Sequence, residues 1–216
     1  MSAVKAKICG ISTPETMQAA LDAGARWVGL VFFPKSPRNV SIATAAELSR
    51  MVGTGTRVVG LFVDPTDDLL DDVTGQVPLD LIQLHGSETP ERVAAIRARF
   101  NLPVMKALKV GEAADLDAAT AYESVVDMLL FDAKPPKGAI LPGGNGVAFD
   151  WSLLTGRDWQ KPWMLSGGLD PANVADAIRA TGAKAVDVSS GVEDAPGRKS
   201  PDLIRAFLSA VTSTGA

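Results

Sequence analysis

Short, nearly unbroken apolar runs alternate along the chain with stretches whose apolar residues recur at helical spacing. The runs cover residues 4–9, 27–33, 57–63, 79–84, 104–108, 128–131, 163–166 and 185–188. Helical patterns follow at 14–23, 42–51, 67–74, 90–100, 112–122, 171–181 and 201–211, with a short one at 150–154. A strand apolar along its whole length is one covered on both faces, as in a parallel sheet. Helix starts are marked by Asp170-Pro171 and Ser200-Pro201, a capping side chain before a proline at the first helical position. Gly24 and Gly182 fall just past helix ends, where a left-handed residue is usual. Strict β-then-α alternation predicts parallel strands joined by right-handed crossovers.

Eight such units in 216 residues predict a closed (β/α)8 TIM barrel. An open nucleotide-binding sheet would carry a glycine-rich turn after its first strand; Cys9-Gly10-Ile11-Ser12 has no GxGxxG. No linker or low-complexity stretch interrupts the pattern, so residues 1–216 are expected to form a single domain.

Composition narrows the chemistry. The chain is 46% hydrophobic and 21% charged, with a net charge of −4 and no basic run, which argues against a nucleic-acid surface. An anionic ligand would need a local cluster of donors. The one cysteine, Cys9, rules out an internal disulfide framework, and with the one histidine, His85, leaves no thiolate- or histidine-rich metal site. No apolar run approaches a membrane span, and the N-terminus is too short and charged for a signal peptide. A cytoplasmic protein without membrane contact is the default expectation, as monomer or homodimer.

Barrels carry their chemistry on the loops after the strands. Two of these loops read as a phosphate cradle: Ser166-Gly167-Gly168 after the seventh strand, and Ser189-Ser190-Gly191 after the eighth. Small residues let backbone N–H groups approach an anion, and the serine hydroxyls add donors. Taken singly, such glycines are turn punctuation; their pairing at strands 7 and 8 favours phosphate. The long loop 6 adds Gly143-Gly144-Asn145-Gly146, so Gly144 and Gly146 join the candidate contacts. Cys9 and Asp132 each end an apolar strand, the first and the sixth. No helix begins directly after Asp132, so it has no cap to make. The pair suits an acid and a base acting on two faces of one substrate. Lys5 and Lys7 share the inward side of the first strand with Cys9. Lys7, once buried, needs a partner, for which Asp187 on the adjacent strand is the candidate. Arg38 ends a proline-stiffened loop and suits a carboxylate or phosphate; the alternative is an exposed surface arginine. His85 closes the fourth strand as a supporting polar group.

Taken in order, several segments resemble the phosphoribosylanthranilate isomerase family of tryptophan biosynthesis. They are Lys7-Ile8-Cys9-Gly10-Ile11, Val31-Phe32-Phe33-Pro34-Lys35-Ser36-Pro37-Arg38, Gln83-Leu84-His85-Gly86, Phe131-Asp132-Ala133-Lys134, Phe149-Asp150-Trp151, Leu165-Ser166-Gly167-Gly168-Leu169 and Val186-Asp187-Val188-Ser189-Ser190-Gly191-Val192-Glu193. The resemblance implies a barrel that performs an Amadori rearrangement of N-(5-phosphoribosyl)anthranilate without metal or organic cofactor. It implies Asp132 as general acid, Cys9 as general base, Arg38 facing the anthranilate carboxylate and the glycine/serine loops holding phosphate. One position departs: similar enzymes have Lys or Gln, then Thr or Ala, between the loop-6 glycine and Phe-Asp-Trp, where this chain has Val147-Ala148.

Sibling barrels supply the competing readings. A metal-dependent epimerase needs more ligands than one histidine allows. An indole-glycerol-phosphate synthase, a lyase, needs lysines at strand ends, for which Lys106 and Lys134 are available. Cys9 at the first strand argues against the related histidine-pathway isomerase, which uses paired aspartates. A non-catalytic phosphosugar binder would keep the cradle and need neither Cys9 nor Asp132.

Overall fold

The computed structural model describes residues 3–134, 143, 144, 146 and 148–215. Its elements run β1 Lys5–Cys9, α1 Pro14–Asp22, β2 Trp27–Phe32, α2 Ile42–Arg50, β3 Arg57–Phe62, α3 Asp67–Thr74, β4 Leu81–Leu84, α4 Pro90–Phe100, β5 Val104–Val110, α5 Ala119–Glu123, β6 Met128–Ala133, β7 Trp163–Leu165, α6 Val174–Thr181, β8 Ala185–Val188, β9 Glu193–Ala195, β10 Arg198–Lys199 and α7 Pro201–Thr212. Strands β1 to β8 pair in parallel in chain order, and β8 returns to β1, closing the expected barrel.

Two large apolar populations and a small one at the top of β1–β3 hold it. One set fills the barrel's lower interior: Trp27, Val59, Leu81, Met105, Ala107, Leu130, Met164 and Ala185. These alternate along their strands with residues that face the helices, such as Val28, Ile82, Leu129 and Val186 in the larger outer core. The alternation brings Cys9, His85, Asp132, Ser166 and Asp187 to the top of the interior, beside the apolar Val31 and Leu61 of β2 and β3, which is where the site lies.

Local capping follows the sequence signals with instructive exceptions. Thr13 and Ser200 each accept a hydrogen bond from the backbone three residues on, at 3.3 Å, ahead of a proline. Gly182 takes the left-handed conformation expected after α6. Asp170, expected to cap a helix from 171, instead closes a turn by accepting from the N–H groups of Ala172 and Asn173, so α6 starts only at Val174. The helix expected over 112–122 is broken. The Asp115 carboxylate accepts from Gly111 and Glu112 N–H and pins a 3-10 turn at Ala113–Leu116 before α5. The short helix expected at 150–154 is a 3-10 turn, Trp151–Leu154, capped by Asp150. The β9–β10 hairpin between β8 and α7 was not anticipated. Among the described residues, no helix is long and apolar enough to cross a membrane.

Candidate active site

One cavity opens at the C-terminal end of the barrel. Its walls include Cys9, Arg38, His85, Asp132, Gly144, Gly146, Ser166, Gly167, Gly168, Ser189 and Ser190. The sequence candidates are thus gathered at one mouth, except Gly191. That glycine packs behind the mouth, where a Cβ would collide with the Leu169 carbonyl oxygen, so it lets loops 7 and 8 touch. Val147 lies outside the described residues.

Cys9 and Asp132 occupy different walls, on strands separated by β7 and β8. Beneath Cys9, Lys7 is fully buried and donates to Asp187 Oδ1 at 2.9 Å, as its alternation with Cys9 predicted. Lys5, expected inward with them, is exposed at the lower end of β1. Ser166 Oγ donates to the other Asp187 oxygen at 3.3 Å. Burial pushes the Cys9 thiol up; Lys7 and Lys199 pull it down but do not outweigh burial and the nearby Asp187 charge. Cys9 therefore rests as a thiol. Burial works to lower Lys7, yet Asp187 and Cys9 hold it above the ordinary lysine value.

Asp132 is held at both oxygens. Oδ2 lies 3.1 Å from His85 Nε2, and Oδ1 accepts from the Ala133 N–H at 2.9 Å. His85 is therefore a direct neighbour of the acid candidate as well as a wall residue. A Cβ at Gly143 would stand 2.5 Å from both Asp132 Oδ2 and His85 Nε2, so only glycine lets loop 6 backbone pass this close.

Arg38 is not the exposed arginine of the alternative reading. It is buried, and its Nε and Nη2 donate to the two Glu193 oxygens at 2.7 and 2.9 Å. Nη2 also donates to the Gly144 carbonyl at 3.3 Å. Among the described residues Nη1 makes no such bond. Glu193 is itself shared with Lys199, whose Nζ also donates to the Ser189 carbonyl at 3.0 Å. Burial works to raise the Glu193 carboxyl, but Arg38 and Lys199 hold it below the usual carboxylate range. Sequence reasoning missed both supports. Glu193 lies just past the eighth-strand loop with no motif to mark it, and Lys199 reaches the site only because the β9–β10 hairpin folds back.

Gly167 carries the seventh-strand loop. Its φ is +90°, and a Cβ there would meet the Ala133 N at 2.6 Å. Gly167→Ala is expected to cost about 1–3 kcal/mol, read as a lower urea midpoint at unchanged slope. A midpoint equal to that of the parent protein would show that the turn tolerates a side chain.

The lysines that a lyase would need are placed elsewhere or already engaged. Met105 and Ala107 fill the barrel interior, so Lys106 between them points outward, where it donates to Glu88 at 2.8 Å. Lys134 lies on the cavity wall, and its Nζ donates to Asp115 at 2.9 Å.

A family model described as N-(5'-phosphoribosyl)anthranilate (PRA) isomerase matches residues 6–210. An N-(5'-phosphoribosyl)anthranilate isomerase of Rhodospirillum centenum is 65% identical over 206 residues, 95% of this chain and 96% of the relative. Among solved structures, the phosphoribosyl anthranilate isomerase of Thermotoga maritima superposes with a TM-score of 0.88 at 38% identity, over 97% of this chain and 99% of that one. A second, in complex with reduced 1-(o-carboxyphenylamino)-1-deoxyribulose 5-phosphate, superposes with a TM-score of 0.85 at 36% identity, with the same coverage of both chains.

Proposed function

The chain belongs to the phosphoribosylanthranilate isomerase family of tryptophan biosynthesis, and from that premise we propose that it rearranges N-(5-phosphoribosyl)anthranilate with Asp132 as general acid and Cys9 as general base. The observation that carries this reading is the placement of Cys9 and Asp132 on different walls of one cavity whose rim is the paired glycine/serine loops.

The steps follow from those positions. Phosphate binds the backbone N–H groups of the Ser166–Gly168 and Ser189–Ser190 segments and the Ser190 hydroxyl, since the Ser166 and Ser189 hydroxyls already donate to Asp187 and to the Cys9 carbonyl. The anthranilate carboxylate meets the Arg38 guanidinium, which Glu193 keeps oriented. Asp132 gives its proton to the ribose ring oxygen, the C1′–O bond breaks, and the nitrogen lone pair completes a Schiff base. The Cys9 thiolate removes the C2′ proton, leaving an enolamine. Tautomerisation yields the ketone, 1-(2-carboxyphenylamino)-1-deoxyribulose 5-phosphate. No atom is gained or lost. Residues 1–216 act as one barrel domain in this reading, since α7 packs back on β1 and α1. The test is conversion of N-(5-phosphoribosyl)anthranilate to that ketone by the purified protein; binding without turnover would leave only the phosphosugar-binding alternative.

The raised thiol has a consequence for pH. The productive pair carries one proton, on Asp132 and not on Cys9. A form with that proton on the Cys9 thiol instead carries the same number, so the ratio of the two forms does not change with pH. The pair loses its last proton only above the raised Cys9 value. The kcat/KM profile is therefore expected to hold a plateau through neutrality and to fall only above the ordinary thiol range. An alkaline limb near neutral pH would contradict the assignment of Cys9.

A further inference from the structure

Gln83 and His85 lie two residues apart at the end of β4 and face the barrel interior together. Both are buried. The Gln83 amide nitrogen stands 3.0 Å from His85 Nδ1, and His85 Nε2 stands 3.1 Å from Asp132 Oδ2. Gln83 Oε1, also buried, has no hydrogen-bond partner among the described residues. The amide thus spends its donor end on the imidazole and leaves its acceptor end unpaired. An amide N–H only donates, so Nδ1 must offer its lone pair. A neutral imidazole then carries its proton on Nε2 and donates it to Asp132.

We infer that Gln83 is a positioning residue for the acid: it fixes the Nε2–H tautomer of His85, so that a donor always faces Asp132 Oδ2. The inference rests on the reading of Asp132 as the acid. When Asp132 protonates the ring oxygen it becomes a carboxylate, and a hydrogen bond to an ionised acceptor is shorter and stronger than one to a neutral acid. The His85 bond is therefore worth more as the proton leaves than before, which is the condition for speeding the step. The opposite tautomer would turn a lone pair toward the developing charge. Loop 6 backbone at Gly143 packs directly over the pair.

His85 is the only histidine in the chain, so both ring signals of a 15N-histidine-labelled sample belong to it. The expected spectrum at neutral pH has a protonated Nε2 and an unprotonated Nδ1. Gln83→Glu keeps the shape but replaces the donor by an acceptor, and draws a proton onto Nδ1. In that variant the Nδ1 signal moves to the protonated position and the Nε2 signal to the unprotonated one. Its kcat falls about tenfold or more, while KM stays within about twofold because Gln83 does not line the cavity. A protonated Nδ1 in the parent protein overturns the inference, and does so even if the variant fails to fold. A folded Gln83→Glu protein with unchanged kcat overturns it as well. Full turnover by Asp132→Asn would instead sink the acid assignment while leaving the tautomer result standing.

Discussion

Asp132→Asn lowers turnover of N-(5-phosphoribosyl)anthranilate by about 10²–10⁴-fold, and Cys9→Ala does the same, with KM moved far less. The asparagine is nearly the same shape, and its carbonyl oxygen still accepts from His85 Nε2 and its neighbours still pack on it. What it lacks is a proton to give to the ring oxygen. Cys9→Ala removes one buried sulfur from a small cluster with Val31 and Leu61 and leaves Lys7 paired to Asp187, so the barrel should persist. The double variant is expected to cost little more than the worse single one, because the two groups act on one substrate as a unit. Steady-state rates, with circular dichroism to confirm folding, check all three. Near-parental turnover by both single variants would reject the mechanism.

The second large effect is on stability. Lys7→Met leaves the Asp187 carboxylate buried in the barrel, with the 3.3 Å hydroxyl of Ser166 as its remaining side-chain partner among the described residues. Removing one partner of a buried pair costs about 3–5 kcal/mol, because the remaining charge is uncompensated. In a chain of this size that is roughly 6–20 °C of melting temperature. Replacing Asp187 by leucine in the same chain should recover most of the loss, since two apolar groups then fill the space. Because Lys7 is held above its ordinary value, the stabilisation from this pair is fully present at neutral pH. It is lost only as pH rises through that raised value. If Lys7→Met melts within a degree or two of the parent, the pair is not a keystone of the interior.

Much of this was legible in the sequence because the barrel forces a simple rule. Period-two alternation placed Lys7 with Cys9 in the interior, and the adjacency of β8 to β1 supplied Asp187 as its partner. The strand-7 and strand-8 loops were recognisable by their serines and glycines. The unread parts depend on contacts between residues far apart in the chain. Glu193 and Lys199 reach Arg38 and Ser189 through a hairpin with no hydrophobic period of its own. Gly191 reads like its neighbours Ser189 and Ser190, yet it serves loop packing because Leu169 presses against it. The broken segment at 112–122 kept a helical pattern, but Asp115 bound the backbone behind it instead.

The most direct test of the central claim is a crystal structure with the reduced product, 1-(o-carboxyphenylamino)-1-deoxyribulose 5-phosphate, bound. The account predicts phosphate between the Ser166–Gly168 and Ser189–Ser190 segments and Cys9 Sγ within about 3–3.5 Å of the sugar C2. It also predicts Asp132 Oδ2 within about 2.6–3.2 Å of the former ring oxygen, on the other side of the sugar. A ligand bound with both Cys9 and Asp132 out of reach of the sugar carbons, or with phosphate at Arg38, would contradict it.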